Sequence, residues 1–324
     1  MPAIEPIIPG IYARSERLVQ TTRDHDRDRV DDEQLIQDQI RDLENLLGVQ
    51  TRAGFGLPSP GQITWQDHFR PFQAIVDNLE TDTLTRFIDT NTFYRRPDVD
   101  GSPTLDRQGL PTFEDQALPD VGTAEGLYTL PSPTAWVTAA RDEDGNYPDA
   151  DLAQAFAEEI YPPILDTLAE PAGAIALADP WLARHPNPQA LQGSLAEVAE
   201  TADVDVHLQL AFQDAAPAIE AGLSAPVDVA IVDLHRSDRD VLEALPAGTD
   251  PGLGLVDARS SLVEREDLLV STIDDAARRS DAEEVYLAPN GSLQHVPETI
   301  ARRKVRVLGE AARQATAKLG GDPR

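Results

Sequence analysis

The chain has 324 residues, 57 of them acidic and 27 basic, giving a formal net charge of −30 at pH 7, with no cysteine. Such a surface repels phosphate and anionic lipid, which excludes nucleic acid and membrane surfaces as partners; the acid excess, with lysine only at Lys304 and Lys318, points to a halophilic protein in a salt-rich cytosol. The missing cysteines remove disulfides, thiolate metal ligands and a cysteine nucleophile.

The opening "MPAIEPIIPG" has no charged region followed by an apolar one, and no run reaches the roughly 18 apolar residues of a membrane span, so a soluble, cytoplasmic protein is expected. A first strand is predicted at 4–8 and a long helix over "DDEQLIQDQIRDLENLL" (31–47), followed by a second strand at 52–56. The region from about 58 to 121 holds an extended stretch, "TRFIDTNTFYRR" (85–96), and a loop rich in proline, aspartate and glycine that is too long for a plain connector. From 126 onward, short apolar runs alternate with helical stretches. The runs are "GLYTL" (126–130), "GAIAL" (173–177), "VDVHLQL" (204–210), "VDVAIVDL" (227–234), "GLGLVDA" (252–258) and "EEVYLA" (283–288). Between them, "DLAQAFAEEIYPPILDTL" (151–168) and "REDLLVSTIDDAARR" (265–279) repeat apolar residues at intervals of three and four. The basic "ARRKVRV" (301–307) opens a last amphipathic helix, where a solvated face is expected.

Strands alternating with helices imply parallel pairing, and eight such units fit a closed (β/α)8 TIM barrel, typically about 250 residues before insertions. The expectation is an α/β fold, a single domain over 1–324 with an inserted segment at about 58–121. The alternative, a doubly wound open sheet, lacks a Gly-rich phosphate loop after its first strand, and "GLGL" (252–255) reads as strand.

Reactive groups in such barrels gather where strands end. Those ends carry Gly10 and Arg14, Gln62, Trp136, Asp179, His207 with Gln209, Asp233 with His235, Asp257 to Ser260 including Arg259, and Asn290 with Gly291. Asp233 and His235 are two apart on a strand and face the same way, one strand over from His207, so two histidines and a carboxylate could hold zinc or iron. Two plainer readings stand beside this: "DLHRSD" as a strand end entering a helix cap, and His207 as a satisfied core or rim histidine.

The carboxy-terminal third, from "GLGLVDARSSLVEREDLL" through "VYLAPNGSLQHVP", resembles the closing segment of the cobalamin-independent methionine synthase family. "PGIYAR" (9–14), "GQITWQDHFRPF" (61–72), "TNTFYRRP" (90–97), "LPSP" (130–133), "ADPWL" (178–182) and "VDVHLQL" are similar to other family segments, in the family's order. The resemblance implies a barrel and methyl transfer from a methyltetrahydrofolate, or in some relatives a corrinoid carrier, to the sulfur of homocysteine bound on zinc. Zinc turns a poor nucleophile into a bound thiolate.

Carried over residue by residue, the family's zinc histidine falls on His207, its first cysteine on Gln209, its glutamate on Asp233 and its second cysteine on Gly291. The homocysteine contacts fall on Ile11, Gln62 and Ala178. The resemblance therefore implies a degenerate zinc site, with no cofactor expected unless the altered site takes zinc. Arg14, Asp67, Trp136, Asp179, Arg259 and Ser260 remain as polar and aromatic groups able to hold a pterin or its glutamate tail, with Arg14 and Arg259 gripping carboxylates. Three functions are compatible with this: a zinc-free subunit acting with a zinc-bearing homologue, a complete methyltransferase with altered ligands or another thiol or donor, and a small-molecule binding protein on a reused barrel.

Overall fold

Apolar runs of five or six residues are long enough to cross a sheet and too short for a stable helix. The computed structural model, which describes residues 2–111, 113, 125–140, 148–279 and 282–320, turns all six runs from 126 onward into strands. In chain order the strands are β1 (Ala3–Pro6), β2 (Leu79–Arg86), β3 (Phe93–Val99), β4 (Gly126–Pro131), β5 (Ala172–Ala178), β6 (Asp205–Leu210), β7 (Val229–Asp233), β8 (Asp250–Val256) and β9 (Glu284–Pro289). Seven form one parallel sheet, ordered β1-β9-β8-β7-β6-β5-β4, and β2 with β3 makes a separate antiparallel hairpin. The extended stretch expected at 85–96 is thus two strands and their turn, while residues 112 and 114–121 of the expected insertion lie outside the described residues.

The strand expected at 52–56 does not form. Helix α1 (Glu16–His25) is followed by α2 (Asp32–Ala53), which starts on an Asp31 cap that accepts from Gln34 N–H at 3.0 Å and ends on Gly54 in the left-handed region at φ 81°. The next segment, "FGLPSPG" (55–61), carries two prolines that cannot donate to a ladder. It nevertheless lies between the sheet's two edges: Leu127 N–H donates to the Pro58 carbonyl at 2.9 Å, and Gly56 N–H donates to the Glu5 carboxylate at 2.6 Å.

Helix α3 (Pro133–Ala139) follows β4 on a Ser132 cap. The single helix expected over 151–168 is instead α4 (Asp149–Ala155), a wide π turn at Phe156–Ile160, and α5 (Tyr161–Leu168), a break forced by Pro162 and Pro163, which lack the N–H groups an uninterrupted helix needs. Helices α6 (Gln192–Thr201), α7 (Ala216–Glu220), α8 (Glu266–Arg279) and α9 (Glu298–Leu319) complete the α/β alternation. The basic run in α9 is only partly a solvated face, because Lys304 is fully buried and paired with Glu264 at 2.8 Å. Among the described residues no helix is long and apolar enough to cross a membrane.

Alternate strand residues separate two cores. Val206, Leu208, Leu210, Val232 and Leu253 belong to the large core that also takes up the helices' apolar faces, whereas Ile7, Leu127, Ala174, Ala176, Val229, Ile231, Tyr286 and Ala288 form a second cluster on the other face. That second face is concave. Gln209 on β6 donates to the Pro289 carbonyl on β9 at 3.2 Å, although β7 and β8 stand between them in the sheet, so the sheet curls until β6 and β9 meet across its interior.

Candidate functional site

Strand β6 runs up the concave interior. His207, in register with Ala176 and Val229, is 0% exposed, sits edge-on to the Tyr286 ring with centroids 4.9 Å apart, and has no hydrogen-bond partner for either ring nitrogen among the described residues. Burial pushes its pKa down to about 3, so the imidazole is neutral. Two residues on, the Gln209 amide nitrogen is used by Pro289 while its oxygen has no partner among the described residues.

Asp233 ends β7 with both oxygens engaged: Oδ1 accepts from His235 N–H at 2.8 Å and Oδ2 from the Asn290 amide at 3.1 Å. Burial holds its pKa above the ordinary value, against the pull of those hydrogen bonds. The His235 ring contacts the Leu255 carbonyl at 3.0 Å. His207, Asp233 and His235 are therefore not brought together, and among the described residues no group of three or more His, Cys, Asp or Glu side chains could hold a metal ion.

The place into which a side chain at 291 would project is taken. A Cβ built on Gly291 would lie within 2.8 Å of Cε1 and Cε2 of Phe212, whose backbone has φ 60°. Arg259 lies over that ring, 4.5 Å from its centroid, and the His295 ring meets it at 5.5 Å. The pocket beneath, lined by His68, Phe87, Trp181, Gln209, Phe212 and Ser292 among others, retains about 10 Å³ of free volume, room for one water.

Several expected ligand contacts serve the fold instead. Trp136 is fully buried, stacked on Phe156 at 4.3 Å and donating to the Tyr161 hydroxyl at 3.3 Å, so no face is free for a pterin. Asp179 accepts from Ser132 at 2.5 Å, from the Thr134 hydroxyl, and from the N–H groups of Trp181 and Leu182 at 2.9 Å; burial still raises its pKa. Asp67 accepts from Phe69, Arg70 and Arg95 N–H groups and closes a turn. Ser260 accepts from Leu262 N–H in the loop after β8. Ile11 and Ala178 are buried and apolar, and Gln62 is buried at φ 41° with its amide unpartnered among the described residues. Arg14 lies in a different groove from Arg259.

Sequence reasoning passed over His68, Phe87, Trp181, Phe212, Ser292 and His295. His68 contacts the Ser292 hydroxyl at 3.1 Å, His295 contacts Thr92 at 3.0 Å, and Phe87 lies between the two histidine rings. Burial lowers the His68 pKa to about 4 and, with the charges of His68 and Arg259, that of His295 to about 3.

Residues 189–314 match the sequence model of the family described as "Cobalamin-independent synthase, Catalytic domain". The chain is 25% identical over 226 residues to the 5-methyltetrahydropteroyltriglutamate–homocysteine methyltransferase of Salinibacter ruber, covering 66% of this chain and 29% of that protein. It is 25% identical over 296 residues to the same-named enzyme of Syntrophotalea carbinolica, covering 79% of this chain and 38% of the relative. Its carboxy-terminal part is thus similar to the catalytic domain of the cobalamin-independent methionine synthase family. The fold is similar to that of a B12-independent methionine synthase from Shewanella sp. W3-18-1, solved with selenomethionine (TM-score 0.74, 17% identity, 90% of this chain and 91% of that one). A putative vitamin-B12 independent methionine synthase from Listeria monocytogenes gives a TM-score of 0.72 at 15% identity, over 96% and 98% of the two chains. The matches to the curated methionine synthases span little more than a third of those proteins at most.

The four residues that the sequence resemblance sets against zinc ligands, His207, Gln209, Asp233 and Gly291, present one neutral buried imidazole, one amide, one carboxylate already bonded, and one glycine under a phenyl ring. These residues do not fit a thiolate-held zinc ion.

Proposed function

We propose that this chain takes part in methyl transfer to homocysteine as a zinc-free subunit, binding or presenting the methyl donor beside a separately encoded homologue that carries the zinc and homocysteine site. The observation that carries this reading is the Phe212 ring in the space a residue 291 side chain would need, with Gln209 in place of the other thiolate. Ile11, Gln62 and Ala178 add to it: none offers a charge to an amino-acid ammonium. Losing one buried partner of a charge pair costs on the order of 2–5 kcal/mol, tens to thousands in affinity. In this reading the 55–61 segment stands as the eighth stave of a (β/α)8 barrel, and 1–324 acts as one cytoplasmic domain.

The test is metal analysis and assay of the purified protein, alone and after co-expression with a zinc-bearing homologue. Alone it is expected to carry zinc well below one per chain and to form no methionine from methyltetrahydrofolate triglutamate and homocysteine; with the homologue it co-purifies and activity rises. A complete methyltransferase with altered ligands is the second reading, favoured by the two unpartnered nitrogens of His207. Turnover by the chain alone, with one tightly held zinc that His207→Ala removes, would move the assignment there.

A further inference from the structure

Few large apolar side chains are exposed among the described residues, and two of them, Ile36 and Ile40, stand one turn apart on α2 at 52% and 50% exposure. Half-buried Leu43 and Leu47 continue the row, so apolar residues recur along α2 at intervals of four, three and four. That is the seam by which one helix packs along another. The other side of α2 turns inward and is partly polar: Asp38 is buried between Arg17 and Thr21 of α1, and buried Asp42 accepts from Ser15 N–H. The Ile36 and Ile40 half of the row is thus left uncovered once α2 has met α1 and the barrel, an apolar patch and not the single scattered residue that any surface carries.

The two ends of α2 carry opposite charge. Exposed Asp31, Asp32 and Glu33 stand at its start, where the helix dipole also favours acids, and exposed Arg52 stands in its last turn. Beside that last turn, Arg52 shares a groove with Arg306 and Arg313 of α9. The acids of this groove are engaged: Glu310 pairs with Arg313 at 2.6 Å, and Glu266 accepts from Gln314 at 3.2 Å. Arg52 and Arg306 have no ion pair among the described residues, although the chain holds 57 acids against 27 bases. An uncovered apolar row is therefore flanked by surplus acid at one end and surplus base at the other.

We infer that α2 is the seam of a symmetric dimer, in which a second copy of this chain lays its own α2 antiparallel along the first. A surface that is acid at one end and base at the other complements itself when turned about a two-fold axis. An axis level with residues 41–42 sets Ile36 against Leu47 and Ile40 against Leu43, and it brings Asp31, Asp32 and Glu33 of one copy alongside residues 50–52 of the other, next to the Arg306 groove. Antiparallel packing also opposes the two helix dipoles favourably. Two chains of net charge −30 repel each other in dilute salt, but molar potassium chloride shortens the reach of that repulsion to about 3 Å, so the apolar row decides the contact there. The seam lies in the helical layer outside the sheet, and the inference does not rest on the methyl-transfer reading.

The test is sedimentation equilibrium of the full chain in molar potassium chloride, over micromolar to about 0.1 mM protein. Wild type should form a dimer. Ile40→Glu should weaken it by about tenfold or more and Ile36→Gln by less, while the control Leu84→Glu, 58% exposed on β2, should leave it unchanged. Glu33→Arg and Arg52→Glu should each loosen the dimer several-fold, and the two together should restore it, because the exchange keeps opposite charges at each end. Matching melting curves establish that the variants are folded, and Ile36→Gln, on the same exposed face, keeps the test intact if Ile40→Glu is not. A wild type that stays monomeric over this range, a dimer as tight in Ile40→Glu as in wild type, or a charge exchange that restores nothing overturns the inference. A zinc-bearing homologue that occupies this face in place of the second copy, and is lost in Ile40→Glu, overturns it as well and leaves the subunit reading standing.

Discussion

Phe212 and Gly291 are fitted to each other: the ring of one lies where the other would carry a Cβ, within 2.8 Å of two ring carbons. Phe212 holds this place from the left-handed region, φ 60°, which costs a residue with a Cβ roughly 1–2 kcal/mol. The cation of Arg259 above the ring and the His295 edge beside it offset that strain. The space beside Gly291 is therefore taken up by packing.

Gly291→Cys is accordingly expected to destabilise the protein, by about 1–3 kcal/mol, because the new side chain must displace a packed ring. In a Phe212→Gly background, where the ring is absent and the positive φ is harmless, the same substitution should cost about 1 kcal/mol less. Thermal melts of the four proteins in molar potassium chloride measure the coupling. Equal costs in both backgrounds would show that the ring is not the obstacle.

The alternation of strand and helix from 126 onward was legible because a short apolar run between turns has few other uses, and the residues at strand ends could be named from it. The second strand was not, because "TRAGFG" looks extended only if α2 stops early; α2 instead runs to Ala53, and the prolines beyond it deny a ladder. Asp67, Asp179 and Trp136 read as ligand groups in the sequence, but an aspartate can cap a turn as well as meet a ligand and a tryptophan can pack as well as stack, and only the contacts decide. His68, Phe212 and His295 were hidden for another reason: they come from three distant segments, and no local pattern records that their rings meet around Phe87 and Arg259.

Salt is expected to govern stability. Exposed pairs such as Arg265 with Asp267, Arg278 with Asp274 and Arg279 with Asp240 are screened by water and salt and add little to stability. They involve a minority of the acids, so at −30 net charge the unscreened repulsion outweighs them. The screening length grows from about 3 Å at molar salt to about 10 Å at a tenth of that. The melting temperature should therefore fall as potassium chloride is diluted over this range, and a constant or rising value would contradict the halophilic reading.

The pH dependence isolates His207. Its pKa falls from the ordinary 6.5 to about 3 on folding because burial disfavours the imidazolium, so below pH 6.5 the unfolded chain takes up a proton that the folded chain refuses. Its contribution is complete above the unfolded pKa and is lost progressively as pH falls toward the folded one, at up to about 1.4 kcal/mol per pH unit. His68 and His295 act in the same direction. Asp179 and Asp233 oppose them, since burial raises both carboxyl pKa values and a raised acid favours the folded state as pH falls. The total slope therefore mixes signs, while the difference between wild type and His207→Leu does not. Leucine suits the apolar cluster around Val229 and Tyr286 and carries no titratable group. Between about pH 7 and about pH 5 in molar salt, the denaturant midpoint should fall more steeply for wild type than for His207→Leu. Parallel profiles would mean that the folded protein protonates His207 normally, and that its unpartnered nitrogens reach water or a ligand.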